Sequence, residues 1–249
     1  IIADPVLICP EYEKCYSEKI VYLPNSYQIN DPQRVVDDAA VSREDVGLPS
    51  QGFVYCSFNQ HYKFLPSIFD SWARILNKVE NSVLWLMAEG ELVRSNLRNE
   101  IAKRGIAPER LIFADRIPSA QHLARMRLAD LFLDSLPYNS HTTASDALWV
   151  GLPILTLQGK SFAARVASSL LTAMGLPQLI THSVEQYEEL AVELANQPQK
   201  LNDIRNTLNA NKQNSPLFNS ALTTQQIEAA YEKMIERSIQ KQAPINIQI

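Results

Sequence analysis

The chain has 249 residues, of which 46% are hydrophobic and 20% charged, and its net charge is −4. This is the composition of a soluble globular protein with a sizeable core, and the acidic balance disfavours a nucleic-acid-binding protein. No apolar run approaches the roughly 20 residues that a membrane helix needs. Three cysteines without a Cys-x-x-Cys pair indicate a reducing compartment, so we expect a cytoplasmic location. Because the sequence opens on Ile1, we expect an excerpt of a longer chain.

From about residue 52, short apolar runs alternate with longer amphipathic runs. This alternation predicts an α/β domain with a doubly wound, Rossmann-like parallel sheet covered on both faces. The predicted strands are Phe53–Phe58, Val83–Met87, Leu111–Ala114, Leu131–Leu133, Ile154–Leu157 and Gln178–Ile180. The predicted helices are 67–79, 91–104, 120–128, 144–150, 162–174 and 184–196.

The two ends of the chain differ from this central part. Residues 1–50 are irregular and rich in Pro, Asp and Tyr, and the Asp37–Asp45 stretch has no clear structural pattern. Residues 198–213 and 222–240 predict two polar amphipathic helices. We therefore divide the chain into an N-terminal segment (1–50), a ligand-binding domain (51–213) and a C-terminal helical segment (214–249).

The segment between the fourth predicted strand and the next helix is the first candidate binding site. In open parallel sheets, ligands bind at the carboxyl ends of strands and at helix N-termini. Here His141, Thr142 and Thr143 can offer hydroxyl and backbone donors to a phosphate, and Asp146 can accept from ribose hydroxyls. The alternative is that Thr143 and Asp146 only form a capping-box-like helix start. Spacing alone favours that structural alternative.

Two further loops carry candidate ligand residues. Gln60 and Lys63 follow the first strand of the domain, where a lysine can reach a phosphate. His122 and Arg125 are three residues apart on the helix after the third strand, so they share a helix face and can contact a base together. Spacing alone favours the structural alternatives, which are a solvated loop lysine and an ordinary surface pair.

Several familiar motifs are absent. Gly159-Lys160-Ser161 resembles the end of a P-loop, but Ile154 stands where the first glycine belongs. No Gly-x-Gly-x-x-Gly follows the first strand, which disfavours NAD and FAD. The histidines lack metal-ligand spacing, and there is no Asp-x-Asp to hold a metal–diphosphate complex. We therefore expect no metal and no cofactor.

Taken together, the loops resemble a known enzyme family. The segment YCSFNQHYK, the segment NSVLWLM and the long run around HTTASDALWVGLP resemble the C-terminal catalytic half of O-GlcNAc transferases. SPLFN near residue 215 resembles the tail of that family, and YSEKIVYLPNSYQIND resembles the end of its N-terminal half. The resemblance covers essentially the whole chain, and its central motif is long enough to be highly specific.

The resemblance implies a role for each candidate residue. The implied fold is GT-B, with this chain as the C-terminal lobe and a remnant of the N-terminal lobe. Lys63 would bind the diphosphate and stabilise the leaving group. The phosphates would also meet Gln60, His141, Thr142 and Thr143, while His122, Arg125 and the backbone near Ile117 would hold the uracil and Asp146 the ribose. Ser119 departs from the family, because the animal enzymes carry a lysine there, so one nucleotide contact is lost or replaced.

The implied activity is an inverting, metal-independent transfer of GlcNAc from UDP-GlcNAc to Ser or Thr hydroxyls of proteins. Acceptor proteins would be selected by regions outside this chain, including tetratricopeptide repeats. One alternative is the SPINDLY type of protein O-fucosyltransferase, which uses GDP-fucose. The other is a catalytically silent nucleotide-sugar-binding module.

Overall fold

The computed structural model describes residues 1–249 and contains eight α-helices and nine strands. The strands are β1 Ile2–Ala3, β2 Val21–Tyr22, β3 Phe53–Ser57, β4 Ser82–Met87, β5 Leu111–Ala114, β6 Leu131–Leu133, β7 Ile154–Leu157, β8 Ile180–Thr181 and β9 Ile247–Gln248. The helices are α1 Pro66–Lys78, α2 Glu91–Lys103, α3 Ser119–Met126, α4 Thr142–Trp149, α5 Val166–Ala173, α6 Val184–Asn196, α7 Pro198–Lys212 and α8 Ser220–Ile239.

The main sheet has six parallel strands in the order β5-β4-β3-β6-β7-β8. The chain winds outward from β3 to β5, then returns to the other side of β3 with β6. Tyr55 of β3 thus pairs with both Leu84 of β4 and Leu131 of β6. This is the doubly wound parallel sheet that the alternating apolar runs predict, and the strand order reverses between β3 and β6.

Helices cover both faces of the sheet, so its central strands are apolar on both sides. All of β6 and β7 is buried, as is β3 apart from Phe53. Trp72, Trp85, Tyr55 and Tyr187 are the largest fully buried side chains of the core. Continuous burial explains why these strands appear in the sequence as unbroken apolar runs instead of alternating patterns.

A second, small parallel sheet joins the two ends of the chain. Its order is β1-β2-β9, and Val21 of β2 pairs with Ile247 of β9. Val21 and Ile247 pack with Ala230 of α8 in a small apolar cluster. The segment before residue 50 thus contributes two strands, although its sequence shows no strand pattern.

The structure differs from the sequence-based prediction in two elements. The helix predicted for 162–174 is a short 3-10 turn, Phe162–Ala164, followed by α5 from Val166; Arg165 between them leaves helical geometry, with φ −126° and ψ −4°. The strand predicted for Gln178–Ile180 is instead the 3-10 turn Pro177–Leu179 and then β8, because proline cannot donate to a ladder and favours a turn. No helix of the structure is both long and apolar enough to cross a membrane.

Candidate nucleotide-binding site

The loops after β3 and β6 meet at the carboxyl edge of the sheet, where the strand order reverses. Asn59, in the loop after β3, is buried and donates to the hydroxyls of Ser135 (2.8 Å) and Ser140 (2.6 Å) in the loop after β6. This is the position at which open α/β sheets bind ligands. Neither Asn59 nor either serine stands out in the sequence as a structural or ligand residue.

Asp134 organises the loop after β6. Its Oδ1 accepts hydrogen bonds from the backbone N–H of Ser135 (2.9 Å) and from the backbone and hydroxyl of Ser140 (both 2.7 Å). Its Oδ2 accepts from the hydroxyl of Thr156 on β7 at 2.7 Å. Burial raises the pKa of Asp134 to about 6, although all of these donors act to lower it. This fully buried carboxyl group therefore fixes the turn that leads into α4.

The turn brings Lys63 beside Tyr138 and His141. The Lys63 Nζ atom lies 4.2 Å from the centre of the Tyr138 ring, and that ring is stacked on the His141 imidazole with centroids 5.0 Å apart. Burial lowers the pKa of Lys63, and Asp134 opposes that effect. Burial, and secondarily Lys63, lowers the pKa of His141, so its imidazole is neutral at neutral pH. Two residues predicted from separate loops thus form one cluster, and Tyr138 links them.

The beginning of α4 offers unused hydrogen-bond donors to this cluster. The backbone N–H groups of His141, Thr142 and Thr143 make no hydrogen bond within the chain, and the Nε2 atom of His141 is buried without a partner. Free N–H groups and the positive end of the helix dipole favour an anion here. The first turn of α4 contains no acidic side chain, so no carboxylate within that turn competes with a ligand for these N–H groups.

His122 and Arg125 contact each other on α3. The Arg125 Nε atom donates to His122 Nδ1 at 3.0 Å, and Arg125 Nη2 donates to the carbonyl of Asp115 at 2.6 Å. The His122 ring packs edge-on against Phe58, with centroids 5.0 Å apart. Burial, and then Arg125, lowers the pKa of His122 to about 4. The imidazole is therefore neutral, with its Nε2 atom and ring edge turned away from Arg125.

Asp146 does not cap α4. His141 is the N-cap residue, and the side chain of neither residue caps the helix. Instead Asp146 Oδ1 forms an ion pair with Nη1 of Arg34, a residue of the N-terminal segment that the sequence analysis did not consider. The Asp146 Oδ2 atom has no hydrogen-bond partner in the chain. The capping interpretation of this residue is therefore wrong.

The remaining predicted residues lie at the same edge but make fewer contacts. Gln60 precedes the 3-10 turn His61–Lys63, and its side chain has no partner within the chain. Ile117 lies in the loop between β5 and α3, and Ser119 is the exposed first residue of α3. No group of three or more His, Cys, Asp and Glu side chains is arranged to hold a metal ion.

A surface cavity lies elsewhere on the molecule, away from this cluster. A cavity of about 560 Å³ lies against β5 and is lined partly by Arg94, Arg98 and Phe113. The cluster at Lys63 and α4 lies instead on the open carboxyl edge of the sheet, where Tyr138 is 43% exposed. Unpaired backbone N–H groups at a helix start, at the switch point of a doubly wound sheet, are the arrangement by which open α/β folds hold nucleotides.

Comparisons with known proteins place this lobe in a family. Residues 35–227 match the model of glycosyl transferase family 41. The chain is 38% identical over 258 aligned residues to a probable UDP-N-acetylglucosamine–peptide N-acetylglucosaminyltransferase, SEC, of Arabidopsis thaliana, which covers all of this chain and 26% of SEC. A Caenorhabditis elegans UDP-N-acetylglucosamine–peptide N-acetylglucosaminyltransferase is 37% identical over 71% of this chain and 15% of its own length.

A solved structure agrees with these relatives. A mutant O-GlcNAc transferase of Thermobaculum terrenum superposes with a TM-score of 0.88 at 29% identity, over 96% of this chain and 45% of that protein. The chain belongs to glycosyl transferase family 41. It has the Rossmann-like fold of a GT-B lobe, and it spans about a quarter of the length of the plant relative.

Proposed function

We propose that this chain is the donor-binding part of a protein O-GlcNAc transferase, and that it holds UDP-GlcNAc at the carboxyl edge of its six-stranded sheet. The observation that carries the proposal is the convergence of the Lys63 ammonium and the uncapped start of α4 beside Tyr138 and His141. Both features favour a negatively charged group, and nothing in the chain occupies them. The names of the plant and nematode relatives support the choice of donor.

In this proposal the diphosphate lies between Lys63 and the first turn of α4. Lys63 supplies a point charge, and Gln60 supplies an amide donor from the same loop. The unpaired backbone N–H groups of His141, Thr142 and Thr143 supply the remaining donors. These groups neutralise the diphosphate without a metal ion, which is the role that an Asp-x-Asp motif with a divalent cation plays elsewhere.

The nucleoside extends toward α3 in the same proposal. The neutral His122 ring, held by Arg125 and Phe58, offers a flat surface for the uracil. Arg125 keeps Nη1 free of partners within the chain, and the backbone near Ile117 can read the edge of the base. The free Oδ2 atom of Asp146 accepts a hydrogen bond from the ribose.

The proposed reaction is an inverting displacement at the anomeric carbon of GlcNAc. A serine or threonine hydroxyl oxygen of the acceptor protein bonds to that carbon, while the bond to the β-phosphate oxygen breaks and its electron pair leaves with UDP. The hydroxyl proton leaves toward a base on the acceptor side. Lys63 and the α4 donors stabilise the charge that grows on the departing diphosphate, and preorganised donors of this kind lower a barrier effectively.

Calorimetric titration of the chain with UDP-GlcNAc, UDP-glucose and GDP-fucose tests the proposal. We expect UDP-GlcNAc and UDP to bind with similar affinity and GDP-fucose to bind much more weakly, because the proposal assigns His122, Arg125 and the backbone near Ile117 to uracil and not to guanine. Preference for GDP-fucose would indicate the fucosyltransferase alternative. Binding of UDP-GlcNAc without turnover in a longer protein that contains this chain would indicate the catalytically silent module.

A further inference from the structure

Residues 28–37 form a strap, with a turn at residues 32–33, that contacts the two helices bearing the proposed nucleotide ligands. The Gln28 side chain donates to the Ser145 hydroxyl of α4 at 2.7 Å. The backbone N–H of Asp37 donates to the carbonyl of Ala120 at 3.1 Å, near the beginning of α3. The strap is thus fixed to both helices that the Proposed function assigns to the nucleoside.

Arg34 lies at the middle of the strap and contacts the ribose side of that site. Its Nη1 atom forms the ion pair with Oδ1 of Asp146, and its carbonyl accepts a hydrogen bond from Trp149 Nε1 at 3.2 Å. Asp146 and Trp149 are three residues apart and share one face of α4. The contact therefore has two points, and the guanidinium is held against a single oxygen of the carboxylate.

The geometry is poorly suited to a purely structural ion pair. The Nε and Nη2 atoms of Arg34 are buried and have no hydrogen-bond partner in the chain. Buried donors without partners offset much of the stabilisation that an ion pair contributes. The Asp146 Oδ2 atom is also left without a partner. A pair built for stability alone would use both oxygens and more of the guanidinium.

We propose that Arg34 is a positioning residue of the nucleotide site: by holding Oδ1 of Asp146 it presents Oδ2 as a charged acceptor to the ribose hydroxyls. The proposal rests on the function proposed above and adds to it a residue from the N-terminal segment. Arg34 acts through Asp146, so it determines recognition of the nucleoside and not of the diphosphate.

The surroundings of Asp146 leave Arg34 as the group that controls its charge. Burial raises the pKa of Asp146, and Arg34 lowers it both as a charge and as a hydrogen-bond donor. The ionisable groups on the helices packed against α4 contact other partners. On α3, His122 packs against Phe58 and Arg125 donates to the carbonyl of Asp115. On α7, the Lys212 ammonium lies over the Trp149 ring. Helix α5 and strand β7 contain no ionisable residue. Without Arg34, burial alone would act on the carboxyl group.

The test compares Arg34→Met with a matched arginine variant of the same segment. Arg43→Met is the control, because Arg43 also ties the N-terminal segment to the domain, through Asp130 and the carbonyl of Gly52, both at 2.9 Å, but at the opposite edge of the sheet. Calorimetry of the whole chain measures binding of UDP and of pyrophosphate from neutral to mildly acidic pH.

We expect Arg34→Met to weaken UDP binding roughly three- to ten-fold while pyrophosphate binding stays unchanged, the scale of losing one partly buried charge contact. Removal of Arg34 raises the pKa of Asp146, so the carboxyl group is protonated at a higher pH. As the pH falls, Arg34→Met should therefore lose affinity for UDP at a higher pH than the wild type does. Arg34→Lys, which keeps the charge, should restore most of the wild-type pH profile. Adding Asp146→Asn to Arg34→Met should weaken UDP binding no further than Asp146→Asn alone.

A spectroscopic titration of Asp146 separates its change in pKa from a general loss of folding. The ¹³C chemical shift of the Asp146 carboxyl group, followed in the free protein, should titrate at higher pH in Arg34→Met than in the wild type. Equal UDP affinity in Arg34→Met and the wild type, an equal loss of pyrophosphate binding, or an unchanged Asp146 titration would each overturn the role of Arg34. A wild-type chain that binds no UDP would instead overturn the Proposed function itself.

Discussion

Ser140 donates to the same oxygen of Asp134 from two positions, its backbone N–H and its hydroxyl, both at 2.7 Å. This buried contact closes the loop between β6 and α4, and so it sets where the helix start lies relative to Lys63. The loop geometry on which the proposed phosphate site depends is therefore held by Asp134, a buried carboxyl group whose pKa is raised.

The first prediction concerns the pH dependence of stability. Burial raises the pKa of Asp134 from 3.8 to about 6, so the folded chain binds this proton more tightly than the unfolded chain does. The stabilisation from this proton is complete below 3.8 and is lost as the pH rises through about 6. Denaturant unfolding across this window should show the loss in the wild type and not in Asp134→Asn. A constant difference between the two free energies of unfolding would contradict the assignment.

The second prediction concerns Lys63. A charge-assisted hydrogen bond contributes about 1.5–3 kcal/mol, so Lys63→Met should weaken UDP binding roughly ten- to hundred-fold, as measured by calorimetry. Lys160→Met is the matched control, because Lys160 is exposed in a loop beyond β7 and its side chain forms no ion pair or hydrogen bond. Wild-type affinity in Lys63→Met, or an equal loss in Lys160→Met, would exclude a direct phosphate contact.

The third prediction separates the ring of Tyr138 from its hydroxyl. The ring lies against both Lys63 and His141, and a cation over an aromatic face contributes about 0.5–2 kcal/mol. Tyr138→Leu should therefore weaken UDP binding roughly three- to ten-fold, while Tyr138→Phe should bind as the wild type does. Similar losses in both variants would mean that the hydroxyl, and not the ring, supports the site.

The fourth prediction is that UDP binds with the same affinity in excess EDTA as in Mg²⁺ or Mn²⁺. The reason is that Lys63 already supplies positive charge at the site, and the unpaired backbone N–H groups at the start of α4 supply donors. Paired calorimetric titrations at equal ionic strength measure this directly. A strict requirement for either cation would show that the diphosphate is neutralised by a metal complex.

The fifth prediction concerns catalysis by the chain on its own. Holding both reactants together can lower a barrier by about 7–11 kcal/mol, and a chain that holds only the donor forgoes that contribution. Incubation with radiolabelled UDP-GlcNAc and the native acceptor should therefore give no labelled protein, whereas a longer protein containing this chain labels it. Comparable labelling rates in both samples would place all of the catalytic groups within residues 1–249.

Much of the fold follows from local patterns in the sequence. The apolar runs of β3, β6 and β7 are unbroken because helices cover both faces of those strands, and burial of this kind is visible one segment at a time. The carboxyl-edge rule then selects the loops that hold Lys63 and His141. The short strands β1, β2 and β9 have two residues each, too few for any periodicity to show.

Contacts between distant segments could not be inferred in this way. Arg34 and Asp146 are 112 residues apart, and nothing in the sequence near either residue indicates the other. Asn59 meets Ser140 only because β6 returns beside β3, which depends on the strand order of the whole sheet. Asp134 lies directly after a buried strand, and that position was the one local signal that could have identified it as a structural carboxyl group.

The small sheet formed by β1, β2 and β9 has a consequence for the order of folding during synthesis. All six strands of the main sheet have been made once the ribosome has passed residue 181, and neighbouring segments can pair as they emerge. The strand at Ile247–Gln248 pairs with residues made more than two hundred positions earlier. The nascent chain must therefore keep this edge of β2 unpaired while the rest of the lobe folds, and during that time the edge is open to a chaperone or a neighbouring nascent chain.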